Sequence, residues 1–321
     1  MRRVSWNALM VRYPALFALI LFILAVVVNL ILQPNMFAGD TLNSNMRVFL
    51  PLILLAAGQA VVILGGGIDI SVGAIVSIVN TILATRVGIE GSAAAMWQYV
   101  MVSLLVGVLA GAINGFFIAY LRLQPIITTY ATSFLYGGLA LFILPNPGGG
   151  IPAEIAQLYR NTSPLGLPLA FYIIAIVLGM WWFIRATRYG NYLFAVGGKA
   201  QSAYETAVPV VQVQFSTYVI SGVMAAISGI AITMLSGSGN AEIGASMTLN
   251  SITAVVIGGT VLSGGVGGVA GPVLGAITLG VIQNIISFAH IDTWWETLVK
   301  ASIIVVALAT PGIINLFRRR E

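Results

Sequence analysis

Long apolar runs recur along this chain, and most are about as long as a bilayer is thick. A helix needs roughly 20 apolar residues to cross the hydrocarbon core. Ten runs meet or approach this length: 15–33, 48–64, 70–87, 97–119, 126–144, 167–184, 215–236, 247–262, 268–289 and 297–316. The chain is 59% apolar and 7% charged, whereas soluble domains are about 45–50% apolar and about 25% charged. The sequence therefore predicts an all-α membrane protein with about ten transmembrane helices.

The basic residues predict the orientation of these spans. With the N-terminus inside, the inward segments hold Arg2, Arg3, Arg12, Arg122, Arg185, Arg188, Lys199, Arg318, Arg319 and Arg320, and the outward ends hold Arg47, Arg86, Arg160 and Lys300. This excess obeys the positive-inside rule and predicts that both termini are cytoplasmic. Residues 1–321 then form one multi-pass domain with its largest inward loop at 185–214. Eight spans are the alternative, if two short glycine-flanked runs are re-entrant.

The residues needed for enzymatic chemistry are missing. The chain has no Cys and a single His, His290, which excludes thiolate chemistry and the usual His-cluster metal sites. The glycine-rich stretch 258–268 lacks the Gly-Lys-Ser/Thr ending of a phosphate loop. We therefore predict that the chain is not an enzyme and binds no cofactor, and that its glycines serve close helix packing.

A short internal echo is visible. Residues 107–113 resemble residues 271–277, which places the copies on the fourth and ninth spans, running in opposite directions. Inverted repeats are common in transporters. Chance similarity between two glycine- and alanine-rich segments is the alternative.

A glycine-rich motif with one carboxylate, 65–73, joins the second and third spans. Its acid, Asp69, has two interpretations. It caps the third span by accepting hydrogen bonds from free backbone N–H groups, or it lines the path of a substrate, because charges at membrane depth usually face a protein interior or water. The first interpretation is favoured.

Six amide side chains also fall within the predicted spans. Amides donate and accept hydrogen bonds without carrying charge, which suits a neutral, polyhydroxylated solute. The alternative is interhelical hydrogen bonding, worth about 0.6 kcal/mol on average. The candidate pathway residues, besides Asp69, are Gln59, Asn80, Asn114, Asn250, Gln283 and Asn284.

The inward loop contains a second candidate site. Its segment 199–208 follows two glycines and ends before Pro209. The spacing of Ala200, Ala203, Tyr204, Ala207 and Val208 predicts a helix of about two turns with one apolar stripe. A helix this short needs a surface to pack against, and a groove on a cytoplasmic partner is favoured over the membrane surface. The residues assigned to this contact are Lys199, Ala200, Ala203, Tyr204, Ala207 and Val208.

Four blocks carry a resemblance to a known family. Residues 66–73, Gly-Gly-Ile-Asp-Ile-Ser-Val-Gly, resemble the signature of ribose-type ATP-binding-cassette (ABC) sugar permeases. Residues 124–129, 195–199 and 254–265 are similar to three further blocks of that family. Within the family, residues 261–267 and the pair Trp294-Trp295 most resemble one of the two permeases of galactofuranose uptake systems.

This resemblance implies a fold and a set of partners. The implied fold is the ten-helix permease fold of the vitamin B12 type of importer, in a bacterial inner membrane. The implied partners are a second permease subunit, identical or different, two cytoplasmic ATPase subunits that bind the ATP, and a periplasmic sugar-binding protein.

We therefore predict a permease subunit that translocates a monosaccharide. The alternative is an ion-coupled secondary transporter of a small neutral solute, which needs an intramembrane acid or base to carry the ion. Asp69 is the only mid-chain acid near the interior end of a span.

Overall fold

The computed structural model describes residues 14–292 together with 294–295, 297–298 and 301–302. These residues form eleven α-helices and, within the same ranges, no β-strand beyond a single bridge between Gly148 and Gly239. The helices are α1 (Pro14–Leu32), α2 (Gly39–Leu64), α3 (Val72–Arg86), α4 (Ala93–Gly115), α5 (Pro125–Ile143), α6 (Ala153–Asn161), α7 (Leu169–Ala186), α8 (Arg188–Glu205), α9 (Val210–Ser236), α10 (Met247–Ile257) and α11 (Ala270–Phe288). A π-helical turn, Phe116–Tyr120, continues α4, and a 3₁₀ turn forms at Pro164–Gly166.

Nine of the predicted spans coincide with helices in the predicted order: α1 to α5, α7, and α9 to α11. Among the described residues, six helices are long and apolar enough to cross a membrane, namely α2, α4 with its π turn, α5, α7, α9 and α11. The apolar stretches of α1, α3 and α10 are shorter. The tenth predicted span, 297–316, lies largely outside the described residues. The described chain is thus an all-helical membrane protein.

Helices α2 and α9 form the centre of the bundle. Nearly every residue of α2 from Phe49 to Leu64 is buried, and α9 packs against α2, α3 and α4. By contrast, α7 exposes most of its apolar surface, including Trp182 and Phe183. An apolar helix that is buried all round belongs in a protein interior, whereas exposed apolar side chains on a membrane helix face lipid.

Glycines allow the closest helix contacts. A Cβ atom built on Gly107 of α4 would lie 2.4 Å from the carbonyl oxygen of Gly222 on α9. A Cβ atom on Gly275 of α11 would likewise lie 2.1 Å from the Ala254 oxygen on α10. Small residues let membrane helices approach this closely. Both segments of the sequence echo therefore pack by the same means.

Two of the apolar helices are too short to span a bilayer unaided. At 1.5 Å per residue, α3 and α10 measure about 22 and 16 Å against a core of about 30 Å. Irregular segments flank them: the α2–α3 break (65–71), the α9–α10 loop (237–246) and the α10–α11 loop (258–269). Several of their backbone N–H groups donate to carbonyls within the chain, as membrane depth requires. For example, the Gly67 N–H donates to the Val62 oxygen, and the Thr260 N–H donates to the Val255 oxygen.

The predicted outward loop, 145–166, contains a helix that its proline and glycine content did not predict. This helix, α6, is held against the bundle by Arg160, whose guanidinium donates to the Leu235 carbonyl at 2.6 Å near the end of α9. Arg47 of α2 donates to the Arg160 carbonyl. Cations stabilise a helix C-terminus by partnering its free carbonyls. Arg47 and Arg160, two of the basic residues predicted to lie outside, therefore make structural contacts in this fold.

Candidate functional site

Asp69 lies at the centre of the α2–α3 break and is fully buried. Its Oδ1 accepts hydrogen bonds from the Ser71 amide at 2.9 Å and the Ser71 hydroxyl at 2.7 Å. Its Oδ2 accepts from the Ser221 hydroxyl of α9 at 3.0 Å. An Asp that accepts from the N–H two residues ahead forms a turn that competes with helix. The carboxylate thus shapes the chain just before α3 begins at Val72.

A line of hydrogen bonds continues from Asp69 into two further helices. The Ser71 hydroxyl accepts from Asn114 Nδ2 of α4 at 2.8 Å. Asn114 Oδ1 in turn accepts from the Thr132 hydroxyl of α5 at 2.7 Å. Thr132, Asn114 and Ser71 are all buried. The break is therefore bonded, side chain to side chain, to α4 and α5.

Gln59 of α2 holds the backbone of the same residue. With its amide oriented to match its partners, the nitrogen donates to the Asp69 carbonyl at 3.1 Å and the oxygen accepts from the Asp69 N–H at 3.2 Å. This double contact satisfies backbone groups that have no helical partner. Buried polar networks satisfied in this way specify one arrangement of the chain.

Asn80 of α3 organises a second irregular segment, the α9–α10 loop. Its Nδ2 donates to the Thr233 hydroxyl at 2.9 Å and the Ser238 carbonyl at 3.0 Å, and its Oδ1 accepts from the Asn240 N–H at 2.7 Å. Three of its hydrogen-bonding positions are thus occupied by the protein, and its side chain is fully buried.

The other three predicted amides lie apart from the Asp69 centre. Asn250 of α10 is partly buried, Gln283 of α11 is exposed, and Asn284 is partly buried. The described residues offer no hydrogen-bond partner to the buried Nδ2 of Asn284. Gln59, Asp69 and Asn114 thus lie together, whereas Asn250, Gln283 and Asn284 lie on the later helices α10 and α11.

Several hydroxyl side chains that were not predicted as site residues bond the backbone around Asp69. Thr129 of α5 accepts from the Ile70 N–H at 3.0 Å, and Thr248 of α10 accepts from the Gly73 N–H at 3.1 Å. One signal was available in α5, where Thr128, Thr129, Thr132 and Tyr136 fall at helical spacing and are all buried. A polar stripe on one face of a membrane helix indicates protein contact.

The inward segment differs from the predicted helix of 199–208. Helix α8 starts at Arg188, runs through both glycines, kinks at Lys199 (φ −159°, ψ 96°) and ends at Glu205. Ala207 then adopts a left-handed conformation (φ 60°), and the Val208 N–H bonds the Ala203 carbonyl at 3.1 Å. The left-handed residue and this hydrogen bond define a Schellman C-cap, which stops a helix by satisfying its last carbonyls.

The predicted apolar stripe of this segment is divided between two surfaces. Ala203 is buried, and Ala200 and Val208 pack with it against this chain's own core. Tyr204 is 70% exposed, and Ala207 is also exposed, as is Lys199. The stripe is therefore not a single external face, because three of its five residues anchor the segment to the bundle.

Comparisons with known proteins identify the class of protein. The family model described as "Branched-chain amino acid transport system / permease component" matches residues 41–308. The chain is 30% identical to the ribose import permease of Haemophilus influenzae, over 92% of each chain. It is 30% identical to an autoinducer 2 import permease of Photorhabdus temperata, over 94% of this chain and 92% of that one.

A fructose import permease of Bifidobacterium longum is 31% identical, over 91% of this chain and 88% of that one. No solved structure matches the chain. The chain belongs to the matched family of transport-system permease components. It is a membrane permease and not an enzyme.

Proposed function

We propose that this chain is the permease subunit of an ABC importer that carries a monosaccharide across a bacterial inner membrane. The observation that carries this proposal is its similarity, along more than nine-tenths of its length, to import permeases named for ribose and fructose. The description of the family names branched-chain amino acids, whereas these relatives, similar along most of the chain, are named for sugars. Galactofuranose stays a prediction for the particular sugar.

The structure supports this proposal over the ion-coupled alternative. Asp69, the acid that such a transporter would need, is fully buried and accepts its three hydrogen bonds from serine groups. Gln59, Asn80 and Asn114 are likewise occupied by protein partners. The proposal of a neutral sugar therefore depends on the relatives rather than on these amides. A role for the amides in the substrate pathway would require another conformation of the chain.

The finer architecture is part of the proposal. We infer ten transmembrane helices in one domain, 1–321, with the permease fold of the vitamin B12 type and both termini cytoplasmic. Nine helices in the predicted order and the two glycine-packed echo segments support this architecture and its inverted repeat. Loop 185–214 is then the cytoplasmic coupling loop.

The partners follow from the same proposal. They are a second permease chain, identical or different, ATPase subunits that bind ATP, a periplasmic sugar-binding protein and membrane lipid. Tyr204, exposed at the inward end beside the core-facing Ala203, is the anchor that we assign to the ATPase. Aromatic residues dominate such contacts.

Tyr204→Ala is expected to release the ATPase while leaving the permease folded, because the side chain is exposed in this chain and a hot-spot aromatic contributes about 2 kcal/mol or more. The measurement is the amount of ATPase that co-purifies with the tagged permease. Gln201→Ala, at an exposed position in the same turn, is the matched control. Ala203→Asp should instead reduce the folded yield, because it buries an unpaired charge. Equal ATPase retention in Tyr204→Ala and Gln201→Ala would remove Tyr204 from the contact.

The proposed function is tested by purifying the tagged chain from native membranes and identifying what accompanies it. We expect an ATPase subunit, and a binding protein that carries a sugar. A binding protein loaded with an amino acid would contradict the sugar assignment, and a chain purified without any ATPase would contradict the ABC assignment.

A further inference from the structure

Three glycine-bearing segments from distant parts of the chain meet at one point. A Cβ atom built on Gly197 of α8 would lie 1.8 Å from the Leu64 carbonyl oxygen and 2.7 Å from the Gly265 nitrogen. The Gly265 N–H donates to that same Leu64 oxygen at 3.1 Å. A Cβ atom on Gly264 would lie 2.8 Å from the Gly66 Cα. The inward helix therefore touches the start of the α2–α3 break backbone to backbone.

Contacts of this kind transmit displacement directly. At this contact no side chain lies between Gly197 and the Leu64 carbonyl to change rotamer and absorb a shift. Packed interiors also have little free volume. A movement of Gly197 toward the bundle must therefore displace Leu64 and the glycines that follow it. The adjoining residues of α8, beyond the kink at Lys199, include the exposed Tyr204.

The far end of the same break is attached to α5. The Thr129 hydroxyl accepts from the Ile70 N–H at 3.0 Å and lies 3.2 Å from the Ile68 carbonyl, and 2.9 Å from the Pro125 carbonyl of its own helix. The bonds from Thr132 through Asn114 to Ser71 form a second attachment. One hydroxyl thus joins α5 to irregular backbone on both sides of Asp69.

Helix α5 is held by this chain along one side only. Its buried residues are confined to one stripe, Thr128, Thr129, Thr132, Tyr136 and Ala140, and the rest of its circumference includes the exposed Phe134 and Phe142. A helix attached along a single stripe moves with whatever holds that stripe. Here the stripe packs on α3, the helix that directly follows the break. It is also bonded to the break itself, directly through Thr129 and, by way of Asn114, through Thr132.

We propose that the α2–α3 break relays movement of the inward helix α8 to α5, with Gly197 and Thr129 as positioning residues at its two ends. This inference rests on the proposed function, which supplies the ATPase that moves α8. It adds to that function the route by which the movement reaches a membrane helix with a largely uncovered surface.

The chain offers a matched control at each end of the relay. Gly198 adjoins Gly197, but a Cβ atom built on it meets nothing within 4 Å. Gly198→Ala therefore makes the same chemical change as Gly197→Ala without the contact. Thr128 adjoins Thr129 and is also buried, but its hydroxyl donates to the Gln124 carbonyl at the start of its own helix. Thr128→Val removes a hydroxyl without loosening the break.

The test uses the permease purified with its ATPase, carrying Phe134→Cys as a reporter on the exposed face of α5. Because the chain has no native Cys, maleimide labelling of this chain reports one position. The labelling rate is measured without nucleotide and with ATP plus vanadate. We expect a several-fold difference between these states in the reporter background. ATP hydrolysis and chromatographic elution are measured on the same samples.

Thr129→Val is expected to abolish the nucleotide-dependent difference while retaining ATP hydrolysis and normal elution, and Thr128→Val is expected to preserve all three. Gly197→Ala should behave like Thr129→Val, and Gly198→Ala like Thr128→Val. Should Gly197→Ala fail to fold, the threonine pair alone decides. A full nucleotide-dependent difference in Thr129→Val would overturn the relay and leave the proposed function intact. No ATP hydrolysis in the reporter background would overturn both.

Discussion

Replacing Asp69 with Leu is expected to prevent assembly of a stable permease. The change removes the acceptor of three buried hydrogen bonds and leaves the Ser71 amide and the hydroxyls of Ser71 and Ser221 without it. Each unsatisfied buried group costs roughly 1–3 kcal/mol, against a typical total stability of about 5–15 kcal/mol. The measurement is the yield and thermal unfolding midpoint of the protein purified in detergent.

Asp69→Asn keeps the shape of this side chain but cannot carry a charge. An Asn oxygen still accepts from the Ser71 amide, and the Ser221 hydroxyl can accept from the Asn nitrogen, so a much smaller loss is expected. Asp40→Leu, at an exposed position in the first turn of α2, is the control and should be near neutral. A wild-type midpoint for Asp69→Leu would show that the carboxylate does not stabilise the break.

Gly73→Ala is expected to be nearly as damaging, because its Cβ atom would enter backbone rather than a flexible side chain. That atom would lie 2.2 Å from the Gly244 carbonyl oxygen and 2.5 Å from the Thr248 hydroxyl. Overpacking a tight contact costs about 1–3 kcal/mol, and here it also disturbs the hydrogen bond from the Gly73 N–H to Thr248. The unfolding midpoint and the elution profile measure the effect.

Gly179→Ala in α7 is the matched helical control. A Cβ atom at Gly179 meets nothing within 4 Å, and alanine in a helix is favoured over glycine by about 0.5–1 kcal/mol. Gly179→Ala should therefore leave the midpoint unchanged or raise it slightly. If both substitutions had the same effect, the close approach of α3 to the α9–α10 loop would not be a determinant of stability.

Hydrophobic runs predicted the helices well because length and apolarity are local properties of a sequence. The nine described spans appear in order, and the interruption at 65–71 was expected from its glycines. The start of α2 was placed too late, at 48 rather than Gly39, because its first turns carry Asp40, Asn43 and Arg47, which a search for apolar runs passes over.

The contacts around Asp69 could not be predicted in the same way. Its partner Ser221 lies 152 residues away in the chain, and the partner of Asn80, Thr233, lies 153 residues away. Serine and threonine occur throughout the spans, and nothing local marks those that meet. The surrounding glycines placed Asp69 at a break, but only the packing of α9 against α2 and α3 brings the serine to it.

The inward stripe shows a different limit of pattern analysis. Helical spacing grouped Ala200, Ala203, Tyr204, Ala207 and Val208 on one face, but only Ala200, Ala203 and Val208 share a surface. Spacing also does not say whether a surface meets a partner or the same chain. In the structure these residues face the core. The left-handed Ala207 was equally hidden, because a Schellman cap usually has glycine at this position.

The most direct test of the proposed function is uptake by vesicles that contain the permease with the ATPase and binding protein that co-purify with it. Radiolabelled D-ribose, D-fructose and L-leucine are compared, with ATP held constant and with or without an uncoupler. We predict ATP-dependent accumulation of a sugar that the uncoupler does not affect. Accumulation of leucine instead, or sugar uptake that collapses with the uncoupler at constant ATP, would contradict a sugar importer driven by ATP.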